Sequence, residues 1–183
     1  ALPICWVLEQ TLNAYKKIDD ISKQALKAKI GFSETELEEW KKIAKGLAVV
    51  INEQGLISQF DGYFNLQDLD WDHYRAKYGD IHRMDRILKS EGNSPDKFKV
   101  AKQADVLMLF YALSPEQVKN VLATMGYEVG DVMEFVSKNY EYYVHRTSHG
   151  STLSHIVHSA ILQLFNAGES SQKPEFLDKK KEQ

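Results

Sequence analysis

Apolar side chains return every three or four positions along most of this chain, the period of a helix that buries one stripe. Ile4, Val7, Leu8, Leu12, Tyr15 and Ile18 set that spacing at the start and predict one long helix to about Lys29. Ser33, three residues before Glu36, is a capping box. It predicts a helix over 34–50 with Leu37, Trp40, Ile43, Ala44 and Leu47 on its inner face. Residues 52–55 form a turn between two short runs, 49–51 and 56–58, so a small β-hairpin is expected there. The period fails over 59–71, where aromatics and carboxylates gather, and this stretch reads as an ordered loop. Two short helices, 71–78 and 80–91, are separated at Gly79. A strongly apolar helix spans 100–113. Ser114, Pro115 and Gln117 then supply the cap, first-turn proline and third-position glutamine of a helix that stops at Gly126. Helices over 131–142 and 152–166 complete the chain. The pattern is all-α: about seven helices, many paired through short loops, with at most one small hairpin. It places residues 1–166 in one unit and 167–183 in a polar, flexible tail. Periodicity alone leaves a helical bundle and part of an α/α barrel equally open.

Composition narrows the function classes. Of 183 residues, 43% are hydrophobic and 27% charged, a balance that can bury a real core. A net charge of −3 gives no basis for a nucleic-acid or anionic-lipid partner. Cys5 is the only cysteine, so no intrachain disulfide can form, and a reducing cytoplasm is the expected compartment. No apolar run reaches the ~18 residues of a membrane span, and no signal peptide is visible. The chain opens at Ala1 inside an apolar helical pattern, which reads as a cut through a longer domain.

The chemistry concentrates in residues 145–158, which hold four of the six histidines. His145 and His149 are four apart, and His155 and His158 three apart, but no carboxylate or cysteine in the segment completes a zinc shell. No metal ligand is assigned. The second reading is an oxyanion site. Gly150 lets backbone approach closely, Ser151 and Thr152 offer hydroxyls and helix-start N–H groups, and Arg146 and His149 offer charge. The bland reading is a loop capped by Ser151, with His155 or His158 facing the core. The residues alone leave these two level.

Lys102 and Gln103, at the head of an apolar helix, are either donors for a polyhydroxylated ligand or a snorkelling lysine paired with Asp105 or nearby acids, with a glutamine beside it. The aromatic–carboxylate loop at 60–64, and Trp71 with Asp72, suit a sugar or a core loop, and the core reading is favoured. No carboxylate pair stands out as a glycosidase acid and base, and none lies between Glu141 and Glu169. The histidine segment therefore suits a bound anion better than an activated water.

KQADVLML at 102–109 and YYVHRTSHGSTLSHIVHS at 142–159, with QFDGYF at 59–64 upstream, resemble glycoside hydrolase family 65. The resemblance covers about Ala1 to Phe165. It implies part of an (α/α)₆ barrel and inverting phosphorolysis of an α-glucosidic bond to β-glucose 1-phosphate. By position it implies that His149, Gly150, Ser151 and Thr152 hold phosphate, and that Lys102 and Gln103 bind sugar hydroxyls. Inorganic phosphate is then a co-substrate, an α-linked glucosyl disaccharide is the partner, and no cofactor is needed. Where many members carry Glu-Pro this chain has Val144-His145, which leaves the acceptor sugar open. The family's catalytic glutamate falls just N-terminal to the first helix, so no catalytic residue is assigned in this chain and Glu9 is no substitute. The chain alone is not expected to turn over disaccharide. The alternatives are a hydrolytic family member or a non-catalytic helical module for binding or oligomerisation. An incomplete barrel exposes apolar surface, so a homo-oligomer is a further expectation.

Overall fold

The computed structural model describes residues 1–103 and 105–170, the last four by backbone alone. Nine α-helices lie among the described residues: α1 Leu2–Lys17, α2 Asp20–Ile30, α3 Glu34–Gly46, α4 Trp71–Tyr78, α5 Met84–Ser90, α6 Asp105–Ala112, α7 Pro115–Thr124, α8 Val132–Val144 and α9 Thr152–Ser170. The chain is all-α, as expected for part of an α/α barrel. Three isolated β-bridges are the extended pairings among the described residues. One, Ile51 to Ile57, is all that forms of the expected hairpin.

Where helices start, local chemistry decides. The Ser33 N–H donates to Glu36 Oε1 at 3.0 Å, and Ser114 pairs with Gln117 in the same way at 2.9 Å. Asp131 accepts the Glu134 N–H at 2.9 Å and opens α8. The single long first helix is corrected: it breaks at Ile18, whose backbone is extended. Asp19 takes both the N–H and the hydroxyl of Ser22, at 2.8 and 2.7 Å, and this cap starts a new helix. The helix predicted over 34–50 ends at Gly46, and the one predicted over 100–113 begins only at Asp105. The final helix runs past 166 to Ser170, and the rest of the expected tail, 171–183, lies outside the described residues.

α1 packs on α3 and α7, while α6 packs on α7, α8 and α9. Their shared core includes Cys5, Phe110, Leu122, Val136, Tyr143 and Ile161. A second, smaller cluster of Leu69, Tyr74, Met84 and Leu88 holds α4 and α5. α8 links the core to the turn at 55–57 and to the segment that follows the helix through three polar side chains spaced by four. Asn139, fully buried, receives the Ile57 N–H at 2.8 Å and donates to Gly55 O at 3.0 Å. Tyr143 donates to Ile57 O at 2.5 Å. Thr147, just past the helix, donates back to Tyr143 O at 2.7 Å. Ile4 and Val7 on α1 and Ile156 on α9 remain about half exposed. No helix among the described residues is long and apolar enough to cross a membrane.

Candidate anion site

Two distant segments meet through backbone pairing before α6 and α9 begin. Ala101 and Thr147 form a parallel bridge: the Ala101 N–H donates to Arg146 O and the Ser148 N–H to Ala101 O, both at 2.8 Å. Lys102 and Gln103 therefore sit in a bend ahead of α6 rather than on a helix. That placement carries Gln103 to the start of α9, where its Nε2 donates to Ser151 Oγ at 3.0 Å. The same oxygen accepts the Leu153 N–H at 3.2 Å, so Ser151 caps α9 as expected. Lys102 is exposed and has neither the predicted Asp105 pairing nor another ion pair among the described residues.

Gly150 is required by space. A Cβ there would lie 2.8 Å from the His82 carbonyl oxygen and 3.5 Å from Arg83 Cδ. The close approach expected of this glycine is thus made by a chain segment far away in sequence. His149 before it has a left-handed φ of 48°, a conformation that costs a non-glycine residue and clusters at functional sites.

The histidines gather differently from their spacing. His145 ends α8 and is exposed, outside the cluster. His149 stacks on His155 at 4.9 Å and meets His158 edge-on at 4.7 Å, and His82 joins from before α5, 6.3 Å from His155. Among the described residues no three His, Cys, Asp or Glu side chains are grouped to hold a metal ion. His158 is the core-facing one, 7% exposed and against Tyr140. Burial, reinforced by His149 and His155, pushes its pKa down to about 4, and burial lowers that of His149 too. Both rings are neutral at pH 7.

A pH effect follows from His158. The unfolded chain takes up its proton near the ordinary ~6.5, while the folded chain resists until about 4. This contribution to stability is fully present above the unfolded value and is lost as pH falls through that window. His158→Phe keeps a ring against Tyr140. Between about pH 7.5 and about pH 5 the variant's thermal midpoint should fall less than that of the wild type. Parallel curves would count against a neutral buried His158.

Charge at the site is also redistributed. Arg146 is tied up elsewhere: Nε and Nη2 donate to Asp68 Oδ1 at 3.2 and 3.1 Å, and its guanidinium covers the Tyr142 ring at 3.9 Å. With His149 neutral, neither group offered as a cation by the sequence is free at the loop. Sequence reasoning missed Arg83, which forks onto Asp85 through Nε and Nη2, each at 3.2 Å. Arg83, and beyond it Lys102, holds the Asp85 carboxyl below its usual range. The fold thus does bring a carboxylate near the loop, but one already engaged by an arginine.

The aromatic loop divides. Tyr63 is buried against Tyr143 at 5.8 Å, the core role, whereas Phe60 is 56% exposed. Phe60 and Asp61 line a cleft of about 820 Å³ with Leu2, Val50 and Met108. Gln59, beside them, accepts the Asp105 N–H at 3.2 Å.

Comparison with known proteins gives the family. The model of the glycosyl hydrolase family 65 central catalytic domain matches residues 2–179. The chain belongs to glycosyl hydrolase family 65. The family 65 match extends past Phe165, where the sequence resemblance was expected to fade. An uncharacterized glycosyl hydrolase of Mycobacterium tuberculosis is 38% identical, over 91% of this chain and 12% of its own length. Trehalose 6-phosphate phosphorylase of Lactococcus lactis subsp. lactis is 46% identical, over 68% of this chain and 16% of its own length. Kojibiose phosphorylase of Halothermothrix orenii is 33% identical, over 84% and 18%. The chain thus spans less than a fifth of the length of these family 65 relatives. No solved structure matches.

Proposed function

We propose that this chain is the part of an inverting α-glucoside phosphorylase that holds phosphate and some of the sugar. The observation that carries the reading is the Gln103–Ser151 hydrogen bond, which joins the two motif segments at the first turn of α9. Phosphate sits at the helix start, on the N–H groups and hydroxyls of Ser151 and Thr152, with Gly150 and His149 beside them. Lys102 and Gln103 bind hydroxyls of the glucosyl unit. A phosphate oxygen attacks the anomeric carbon as the glycosidic C–O bond breaks on the opposite face. A proton donor that we assign to no residue of this chain protonates the leaving oxygen. Phosphate arrives as an anion, so no protein base is required. Glu9 accepts a hydrogen bond from Thr124 on α7, which ties it to the helix packing rather than to the loop.

The identity of 46% to a trehalose 6-phosphate phosphorylase, against 33% to a kojibiose phosphorylase, favours a substrate whose leaving sugar is phosphorylated. A cytoplasmic location and self-association through the half-exposed apolar side chains of α1 and α9 belong to the same proposal.

The test is a titration of the chain with inorganic phosphate at constant ionic strength, followed on the imidazole C–H resonances. His149 and His155 should shift saturably. Among the described residues the Thr152 hydroxyl makes no hydrogen bond, so Thr152→Val isolates the ligand contact. That change should weaken phosphate binding by roughly fivefold with the melting temperature unchanged. The chain alone should release no glucose 1-phosphate from α-glucosides, trehalose 6-phosphate included. Absence of any phosphate-dependent shift would favour a non-catalytic helical module instead.

A further inference from the structure

We propose that Arg83 is a phosphate-binding cation of this site, held in place by Asp85. The inference rests on the phosphate reading above and adds to it a residue that neither the motifs nor their spacing indicate. Its first support is contact. The Arg83 Cδ lies 3.5 Å from where a Gly150 Cβ would stand, so the side chain runs past the residue that leads into the α9 start. The adjoining His82 carbonyl closes on the same glycine, which fixes this segment and the loop to each other.

The second support is geometry. Arg83 Nε and Nη2 are engaged with Asp85 Oδ1 and Oδ2, an orientation that fixes the guanidinium plane. A guanidinium carries five N–H groups, and this fork uses two of them. The Nη1 pair and the remaining Nη2 hydrogen have no acceptor among the described residues, and the side chain is 42% exposed. An arginine anchored on one edge and open on the other is suited to a second oxyanion.

The third support is charge. A phosphate dianion needs more than the half charge of a helix start. Arg146 is bound to Asp68, and His149 and His158 are neutral. Among the described residues Arg83 and Lys102 are the cations left beside the loop, both felt by Asp85. Stability gives little reason for Arg83 to be there, because a half-exposed ion pair adds little to the fold. Arg83 also precedes α5 without capping it through its side chain.

The experiment is the same phosphate titration applied to Arg83→Gln, Arg83→Lys and Arg86→Gln. Arg86 is an exposed neighbour on α5 and controls for general charge. Arg83→Gln should weaken phosphate binding on the order of tenfold, and Arg83→Lys should recover part of the loss. Arg86→Gln should leave binding unchanged. Wild-type affinity in Arg83→Gln, with Thr152→Val still impaired, would overturn the role of Arg83 and leave the phosphate reading standing. Equal losses in Arg83→Gln and Arg86→Gln would overturn it too, as a general charge effect. No phosphate binding by the wild type would remove both. Should Arg83→Gln fail to fold, Arg83→Lys decides. An ammonium lacks the planar fork that holds Arg83 on Asp85, so Arg83→Lys should still lose part of the affinity, and an unchanged affinity there would sink the proposal.

Discussion

Gly150→Ala should abolish phosphate binding by the chain and lower its stability by about 1–3 kcal/mol, the usual range for overpacking. The added methyl would stand 2.8 Å from the His82 carbonyl oxygen, closer than real Cβ contacts come. That oxygen is backbone, so no rotamer change relieves the overlap. Either the 80–85 segment or the loop must move, and either movement separates Arg83 from the α9 start. At this chain length each kcal/mol shifts the thermal midpoint by roughly 2–4 °C. Gly130→Ala is the matched control, because a Cβ there meets nothing within 4 Å and its backbone requires no glycine. It should be close to neutral. A Gly150→Ala protein that binds phosphate like the wild type would show that the loop tolerates displacement, and the site would lose its main geometric argument.

What the sequence made legible was local. The capping boxes at Ser33 and Ser114 depend on residues three apart, and both formed as predicted. Ser151 was readable as a cap for the same reason. The break at Ile18 was not, since apolar residues keep helical spacing across it and only the competing cap of Asp19 on Ser22 ends the helix. Lys102 and Gln103 were read onto a helix because the residues after them are apolar. Their actual conformation is set by the pairing of Ala101 with a strand-like segment 45 to 47 residues later, which leaves no periodic trace. The histidine cluster makes the same point. His145 and His149 are four apart in sequence, but the chain turns between them, and His82 from before α5 joins the cluster while His145 stays outside it. The only hint of Arg83 was an unexplained run of charge and imidazole, HRMDR at 82–86, just after a helix-breaking glycine. The family was legible because its motifs are contiguous. The side chains that gather at the start of α9 were not, because they come from separate segments.

Asn139→Ala should destabilise the chain by about 3 kcal/mol, since each buried backbone group left unpaired costs ~1–3 kcal/mol. Asn139 is fully buried and satisfies three backbone groups at once. It receives the Ile57 N–H at 2.8 Å and donates to Gly55 O and Phe135 O at 3.0 and 2.9 Å. Phe135 O lies within α8, so its loss is small, but Ile57 and Gly55 belong to a turn with a single β-bridge of its own. Without Asn139 the buried Ile57 N–H and the partly buried Gly55 O lose their partner. Asn139→Leu separates this cost from that of a cavity. Leucine refills the volume and cannot pair either group, so it should be about as damaging as alanine in urea unfolding. If Asn139→Leu came within about 0.5 kcal/mol of the wild type, packing rather than hydrogen bonding would be the function of this residue. The consequence reaches the candidate site. Ile57 leads directly into Gln59, which meets the first turn of α6, and Tyr143 one turn along α8 holds the same strand-like segment. Loosening the turn should therefore also weaken phosphate binding in Asn139→Ala below its unfolding temperature, through the placement of Ala101 to Gln103 beside α9.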